Sequence, residues 1–332
     1  MAILAWNVRG LGNKETVRGL KNAIQKFQPE MAFLSETKQQ KRYLEKIRMK
    51  MKMEQYFYIE PNGIAGGLAL WWFKNAKINI LKYGKNFIDA EISVDGESKW
   101  FGTFIYGPPY KEENREFWEF MSNLRNGSDE RWLVIGDSNV VSSQEEKIGG
   151  ASFNPNNARS YFGFVDTQGL IDLPIAGGSF TWSNQRCEEE AILEKLDRVL
   201  CSPDWNSFFP KAVTFLDIAI GSDHSPVIVL LKGFKRKYED FKFESKWLLK
   251  EDCTSTVHDS WISTSQPRNS HRFGSKLRRT KFSLIRWSKL KSRINNQKKL
   301  ELEKKIKSYQ GKQLSKEELT PQNELNLQNK EG

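Results

Sequence analysis

Short apolar runs recur along the first two-thirds of the chain, separated by amphipathic stretches and by Gly, Pro, Asn and Asp. Residues 2–8 are apolar at nearly every position and predict a strand buried on both faces. The Gly10-Leu11-Gly12 turn follows, and Asn13 is placed to cap a helix reaching about residue 28, where Pro29 ends it. Residues 31–35 predict a second buried strand and residues 39–51 a strongly basic helix. Gly66-Gly67 then opens a hairpin-like series, 68–73, 78–83, 87–94 and 100–106, rich in Ile, Phe, Trp and Tyr as strands are. Residues 112–126 and 156–168 read as helices, and 132–135, 193–200, 212–217 and 227–231 as strands. Strands and helices mixed in this way, with sequential hairpins and no internal repeat, predict two packed sheets covered by helices.

Past residue 232 the texture changes. Residues 241–247 read as one more extended segment, 248–262 as a helix, and 263–272 as a linker rich in Ser, Thr, Asn and Pro. Residues 275–309 are basic, with a thin apolar stripe at helical spacings, and 310–332 have the composition of a disordered tail. Charge sharpens the boundary. Residues 1–231 hold 27 Lys+Arg against 29 Asp+Glu and residues 232–332 hold 25 against 12, so the whole excess behind the net charge of +11 lies in the last third. Three parts follow: a domain over 1–231, a basic, partly helical extension over 232–309, and a tail over 310–332. The excess points to a polyanionic partner, and a solvated helical face accounts for the same composition.

Cys187, Cys201 and Cys253 have no paired spacing, which argues against a disulfide framework or a Cys₄ zinc site and suits a reducing compartment. No stretch approaches the roughly 18 consecutive apolar residues of a membrane span. With no basic leader or small-residue cleavage site at the N-terminus, the sequence predicts an intracellular protein without membrane attachment.

Metal-assisted hydrolysis of a phosphodiester needs a carboxylate for the ion, a group to position or deprotonate water, and donors for the phosphoryl oxygens. Candidates sit where the predicted strands end. Asn7 closes the first strand, Glu36 follows the second, and Asp137 and Asn139 close the run that begins at Trp132. Each has an ordinary reading: a turn former, a helix N-terminal acid, a strand-to-loop exit. Asp197 lies inside the apolar run Leu196-Asp197-Arg198-Val199-Leu200, where an unpaired carboxylate would be costly. Asp223 and His224 stand side by side before the last strand. The other two histidines, His258 and His271, fall in the basic part, so a histidine used by the first domain must be His224.

In order, the strand-end Asn, the strand-end Glu, Gly-Asp-x-Asn, x-Leu-Asp-x-Val and Ser-Asp-His-x-Pro-Val resemble the endonuclease/exonuclease/phosphatase superfamily related to DNase I and the AP endonucleases. Ile105-Tyr106-Gly107-Pro108-Pro109 and Phe180-Thr181-Trp182 also fit. A closer resemblance is to the N-terminal endonuclease of plant LINE-type (non-LTR) retrotransposon proteins. It is carried by Trp6-Asn7-Val8-Arg9-Gly10-Leu11-Gly12, Phe33-Leu34-Ser35-Glu36-Thr37-Lys38, Gly66-Gly67-Leu68-Ala69-Leu70-Trp71-Trp72 and Gly177-Gly178-Ser179-Phe180-Thr181-Trp182-Ser183-Asn184. Phe241-Lys242-Phe243-Glu244 followed by Trp247-Leu248 extends it, to cover roughly residues 1–290.

The resemblance implies a DNase I-like four-layer α/β sandwich, two mostly antiparallel sheets flanked by helices, with the basic helical extension behind it. It implies a Mg²⁺-dependent phosphodiester hydrolase, with Mn²⁺ able to substitute, acting as a DNA endonuclease in the nucleus; RNA is an alternative ligand for the extension. Glu36 with Asn7 would hold the metal, and Asp223 would add a ligand. Asp137 would activate or orient water, Asn139 and Tyr106 would grip the scissile phosphate, and His224, oriented and charged by Asp197, would stabilise the pentacovalent phosphorus. Whether Asp137 or the His224–Asp197 pair is the base stays open. Three departures stand out. Ser138 replaces an aromatic, which predicts a less firmly packed loop. Arg9 stands where AP endonucleases place an acid, which argues against their metal shell. No polymerase carboxylate motif such as Tyr-Ala-Asp-Asp occurs, so the expectation is an endonuclease lacking its reverse transcriptase. Two other readings remain: a catalytically idle, retroelement-derived nucleic-acid-binding protein, and a phosphatase of small phosphomonoesters or inositol phosphates.

Overall fold

The computed structural model describes residues 1–63, 65–94, 99–125, 130–186, 190–232, 243–262 and 271–310. In chain order the elements are β1 (Ala2–Asn7), α1 (Lys14–Phe27), β2 (Met31–Ser35), α2 (Lys41–Met51), β3 (Gln55–Ile59), β4 (Leu68–Trp72), β5 (Ala76–Gly84), β6 (Phe87–Val94), β7 (Trp100–Tyr106), α3 (Lys111–Ser122) and β8 (Trp132–Asp137). They continue with β9 (Lys147–Ile148), α4 (Arg159–Thr167), β10 (Ile171–Asp172), β11 (Ile175–Ala176), β12 (Trp182–Ser183), β13 (Leu193–Glu194), β14 (Asp197–Cys201), α5 (Pro203–Phe208), β15 (Val213–Leu216), β16 (Val227–Leu230), α6 (Glu251–Ile262) and α7 (His271–Gln310).

Seven strands form one sheet in the order β11-β15-β16-β1-β2-β4-β3, and six form a second, β10-β14-β8-β7-β6-β5. Within them β1–β2, β7–β8 and β11–β15 pair in parallel and the other pairings are antiparallel. The twofold alternation of strand side chains makes the layers. Ile3 and Ala5 of β1, Met31 and Phe33 of β2, and Leu68 and Leu70 of β4 share the central core with Ile88, Phe104, Leu133, Ile135 and Val199 of the other sheet. The opposite parity of the first sheet, Leu4, Trp6, Ala32, Leu34 and Trp71, packs with Leu20 and Ile24 of α1 and Leu44 and Ile47 of α2. Ile105, Trp132, Val134 and Leu200 of the second sheet pack with Trp118 and Met121 of α3 and Tyr161 and Phe164 of α4. Helices therefore cover the outer face of each sheet, as expected. Asn13 caps α1 by accepting from Glu15 N.

Some boundaries differ from expectation, for identifiable reasons. Residues 193–200 are two strands: β13 joins β12 and β9 in a small third sheet, and β14 joins the six-stranded one. The break falls where Thr181 Oγ1 accepts from Leu196 N and Asp197 N, 2.9 Å each, while Leu196 O accepts from Ser138 N at 2.8 Å. β3 was not foreseen; it is the partly exposed edge of the seven-stranded sheet. Ser245–Leu249 is a 3-10 turn, so the segment expected to be extended is not so there. Residues 241–242, 263–270 of the linker and the tail from 311 lie outside the described residues.

The chain forms two compact units, Met1–Phe234 with Ile306–Gly332, and Lys235–Lys305. In the second, Trp247 meets Trp287 edge-on at 5.5 Å, Asp252 of α6 pairs with Lys291 of α7 at 2.5 Å, and Ser260 donates to Thr280. α7 carries 14 Lys+Arg against 2 Glu. Cys201 and Cys253 are buried free thiols. No described helix is long and apolar enough to cross a membrane.

β7 and β8 approach each other closely where both end. A Cβ on Gly107 would lie 2.1 Å from Ser138 O, and one on Gly136 (φ +139°) would lie 2.1 Å from Ile105 O. Gly107→Ala is expected to destabilise the first unit by about 1–3 kcal/mol through overpacking. Gly163→Ala is the control: it is exposed within α4, and its Cβ would meet nothing within 4 Å. That change should be neutral or stabilise by up to about 1 kcal/mol. Thermal melting checks both, at about 2–4 °C per kcal/mol for a domain of this size; equal effects at the two glycines would contradict the close approach.

Candidate active site

The inward parity of four strands runs directly into a polar cluster. Asn7 continues the Ile3–Ala5 face of β1, Tyr106 continues from Phe104 on β7, Asp137 from Leu133 and Ile135 on β8, and Asp197 precedes Val199 and Cys201 on β14. At the inward position nearest the cluster, the last on β1, β7 and β8 and the first on β14, each strand exchanges an apolar side chain for a polar one. In register, Asp137 stands opposite Tyr106 on one side and Asp197 on the other. Asn7 stands opposite Ser35, one residue before Glu36.

Their side chains join the two sheets. Asn7 Nδ2 donates to Glu36 Oε1 at 3.0 Å and to Asp137 Oδ2 at 2.9 Å. Tyr106 OH donates to Glu36 Oε1 at 3.1 Å. Asn139 N donates to Asp137 Oδ1 at 2.9 Å, and Asn139 Nδ2 to Gly107 O at 2.6 Å. His224 Nδ1 lies 2.9 Å from Asp197 Oδ2, and its Nε2 lies 3.7 Å from Asp137 Oδ2. Asn7, Asp137, Asp197 and His224 are buried, while Glu36, Tyr106 and Asn139 are partly exposed. All eight residues singled out in the sequence thus lie in one neighbourhood. Asp223 differs in its engagement: its Oδ2 accepts from Trp182 Nε1 at 2.8 Å and is paired with Arg9. Among the described residues no hydrogen bond joins Asp223 to Glu36.

Several supporting groups were hidden in the sequence. Ser222 Oγ donates to Asn7 O at 2.8 Å and Trp6 Nε1 to His224 O at 2.8 Å, tying the first strand to the histidine loop. Thr181 holds the backbone of Asp197, and Lys38 pairs with Glu36 at 2.8 Å. Thr181, Trp182, Ser222 and Lys38 stand within the motifs quoted above; only their partners were illegible. Arg9, Glu36, Lys38 and Asn139 adopt left-handed backbone, with φ of 44°, 49°, 51° and 50°. Such conformations cost roughly 1–3 kcal/mol each outside glycine and gather at functional sites.

The loop at Ser138 is not loose. Ser138 is fully buried, and its Oγ donates to Leu196 O at 2.6 Å and accepts from Val140 N at 3.2 Å. Polar ties do here what ring packing was expected to do, and an aromatic at this position would displace them.

Asp137 and Asp197 are buried neighbours on adjacent strands, where like charges repel. Burial pushes the Asp137 carboxyl well above its usual range; the charge of His224 opposes this and that of Asp197 adds to it. Burial alone would lower His224, but the carboxylates of Asp197 and Asp137 outweigh it and raise the imidazole to about 9. Glu36 is the reverse case: burial works to raise it, and Lys38 and Asn7 outweigh burial and leave it low. Burial and the charges of Glu36 and Asp137 push the Tyr106 phenol up.

Two sets bear on a metal. Asp137, Asp197 and His224 offer ligand atoms within 4.8 Å of one another and could hold an ion. The Nδ1 contact to Asp197 and the raised imidazole favour a proton there. Glu36 and Asp137, bridged by Asn7, present hard carboxylate oxygens of the kind Mg²⁺ takes. Asn7 as oriented braces these carboxylates with its amide N–H, its own Oδ1 accepting from Arg9 N at 3.1 Å.

The sequence profile described as the Endonuclease/Exonuclease/phosphatase family matches residues 4–224. Among solved structures the chain is similar to the 3′-5′ exonuclease NExo from Neisseria meningitidis (TM-score 0.50, 16% identity, covering 69% of this chain and 99% of that one). It is also similar to an AP endonuclease from Archaeoglobus fulgidus (0.53, 15%, 69% and 98%). A third is the endonuclease domain of TRAS1, a telomere-specific non-LTR retrotransposon (0.50, 14%, 69% and 96%). At such identities the likeness is one of fold. A comparison with curated proteins finds no match.

In the metal-free protein His224 should therefore stay protonated through neutral pH and titrate near 9, against about 6.5 for a free ring. Because the folded value lies above the unfolded one, the stability this charge contributes is complete below about pH 6.5. It is lost as the pH rises through the folded value. Imidazole ¹⁵N shifts across this range check the prediction; a ring already neutral at about pH 6.5 would show that the two carboxylates do not hold the proton.

Proposed function

The chain belongs to the endonuclease/exonuclease/phosphatase family, and from this premise we propose that it is a metal-dependent DNA endonuclease of the LINE retrotransposon type. The observation that carries the proposal is the single Asn7 amide donating to both Glu36 and Asp137, with His224 set between Asp137 and Asp197. A carboxylate for a cation, a water-positioning acid and a cationic donor are what phosphodiester hydrolysis requires, and here they form one connected network. The 3′ phosphatase NExo from Neisseria is solved bound to a product DNA hairpin, and TRAS1 is a telomere-specific non-LTR retrotransposon; both are compatible with DNA as the substrate. The idle-relic alternative would leave the network free to decay, yet each of its members is present and bonded.

Glu36, braced by Asn7, would hold the divalent ion, Mg²⁺ or Mn²⁺. When bound, the ion neutralises charge on the phosphoryl oxygens. Asp137 orients the attacking water and accepts its proton. Tyr106 and Asn139, at the open side, hold the scissile phosphate with their O–H and N–H donors. His224 donates to the oxygen on which charge builds, and Asp197 fixes its ring and keeps it charged. The basic helix α7 adds sequence-independent attraction to the DNA backbone, and the nucleus is where such a protein would meet its substrate.

Supercoiled plasmid should be nicked with Mg²⁺ and left intact with EDTA. Asp137→Asn should slow nicking by at least about 100-fold with little change in melting temperature. Nicking at the wild-type rate by Asp137→Asn would refute the role given to this carboxylate.

The exposed lysines Lys298, Lys299, Lys304 and Lys305 lie on α7. Changing them to Gln should flatten the log–log salt dependence of DNA binding by about 0.9 for each phosphate that is no longer neutralised. Fluorescence anisotropy at several salt concentrations measures the slope; an unchanged slope would remove α7 from the binding surface.

A further inference from the structure

Asp223 is the candidate ligand whose carboxylate is paired with an arginine. Its side chain is only 5% exposed, and a buried carboxylate is stable only when paired. The pairing comes from two donors on one oxygen, Trp182 Nε1 at 2.8 Å and the guanidinium of Arg9. The Arg9 side chain is 55% exposed, so the guanidinium lies over the carboxylate from the solvent side. Among the described residues it has no other acidic partner.

The backbone fixes this arrangement. Arg9 has φ +44° and Gly10 φ +109°, and the Arg9 N–H donates to Asn7 Oδ1 at 3.1 Å. The turn leaving β1 thus bends back over the strand end and carries the arginine with it. Glu36 is served differently. Its side chain is 19% exposed, and its partner is Lys38, an ammonium on a flexible stem. An ion reaches Glu36 Oε2 from solvent by moving Lys38 aside, Oε1 being held by Asn7 and Tyr106, whereas at Asp223 Oδ2 it has to displace both a planar guanidinium and the Trp182 indole N–H.

We propose that Arg9 is a fixed cation standing in place of a metal ion at Asp223, so that the site takes a single divalent ion, at Glu36. The inference rests on the metal-dependent reading above and adds to it the number of ions and the residue that sets it. Arg9 is here a specificity-determining residue: it supplies a permanent positive charge beside His224 and withdraws Asp223 from the ligand set.

Mn²⁺ titration of the full chain, followed by the electron paramagnetic resonance of the free ion and by calorimetry, tests this without recourse to activity. The variants are Arg9→Asn and Arg9→Gly, both of which tolerate left-handed backbone, and Arg9→Asn combined with Asp223→Asn. The wild type should bind one ion, each single variant two with the second weaker, and the double variant one again; thermal melts verify folding. Two ions on the wild type, or one on a folded Arg9→Asn protein, would overturn the role of Arg9 and leave the metal-dependent reading standing. No Mn²⁺ on any of the proteins would overturn both.

Discussion

Two buried carboxylates placed side by side are the constraint on which the rest of the site turns. Asp137 and Asp197 face each other across antiparallel strands, inside the apolar layer that holds the sheets together. Without a positive charge between them the pair would repel and carry an uncompensated desolvation cost. His224 answers both, and it comes from the other half of the sandwich, from the loop that leads into β16 of the seven-stranded sheet. The electrostatic requirement of one sheet is therefore met by the other. Asn7 repeats the arrangement in reverse, reaching from β1 to Asp137. The polar cluster is at once the candidate reaction centre and a clasp across the open end of the sandwich.

That arrangement carries costs which the remainder of the domain offsets. Left-handed backbone at Arg9, Glu36, Lys38 and Asn139 and the desolvation of buried Asp137, Asp197, Asp223 and His224 all weigh against the folded state. Against them stand fully buried large aromatics, Trp6, Trp71, Trp100, Trp118 and Trp205, distributed through the layers. Each is worth more than roughly 2 kcal/mol by area burial alone. Trp6 does double duty, since the same indole that fills the outer core donates to the carbonyl of His224. Arg198 is a second tie: fully buried on β14 beside Asp197, it bonds Glu146, Asp172 and Val140 O, and so anchors the chain just beyond Asn139.

Much of this was legible in the sequence because the strands that matter are buried on both faces. Ala2–Asn7, Met31–Ser35 and Trp132–Asp137 stand out as apolar runs, and the site uses the polar residue that ends the first and third and the one just after the second, Glu36. Other features could not be read. β3, Gln55-Tyr56-Phe57-Tyr58-Ile59, is a half-exposed edge without a clean alternation. The division of residues 193–200 depends on a hydroxyl from Thr181, far away in sequence. Ser138 read as a loss because sequence reveals a missing ring but not a hydrogen bond to Leu196 O. The Arg9–Asp223 pair joins residues 214 positions apart, which no pattern of apolar and polar residues encodes.

The tie between Ser222 Oγ and Asn7 O spans 215 residues of chain, and β1 pairs with β16 on one side and β2 on the other. A ribosome delivers β1 and β2 early and β16 only after almost the whole domain has emerged. Contacts this distant in sequence form late, because loop closure precedes their reward. The nascent chain therefore holds Asn7 and Glu36 without their histidine, and the cluster that would cut nucleic acid is completed by one of the last segments to fold. The polar cluster thus carries its own delay: it closes only when the domain around it is whole.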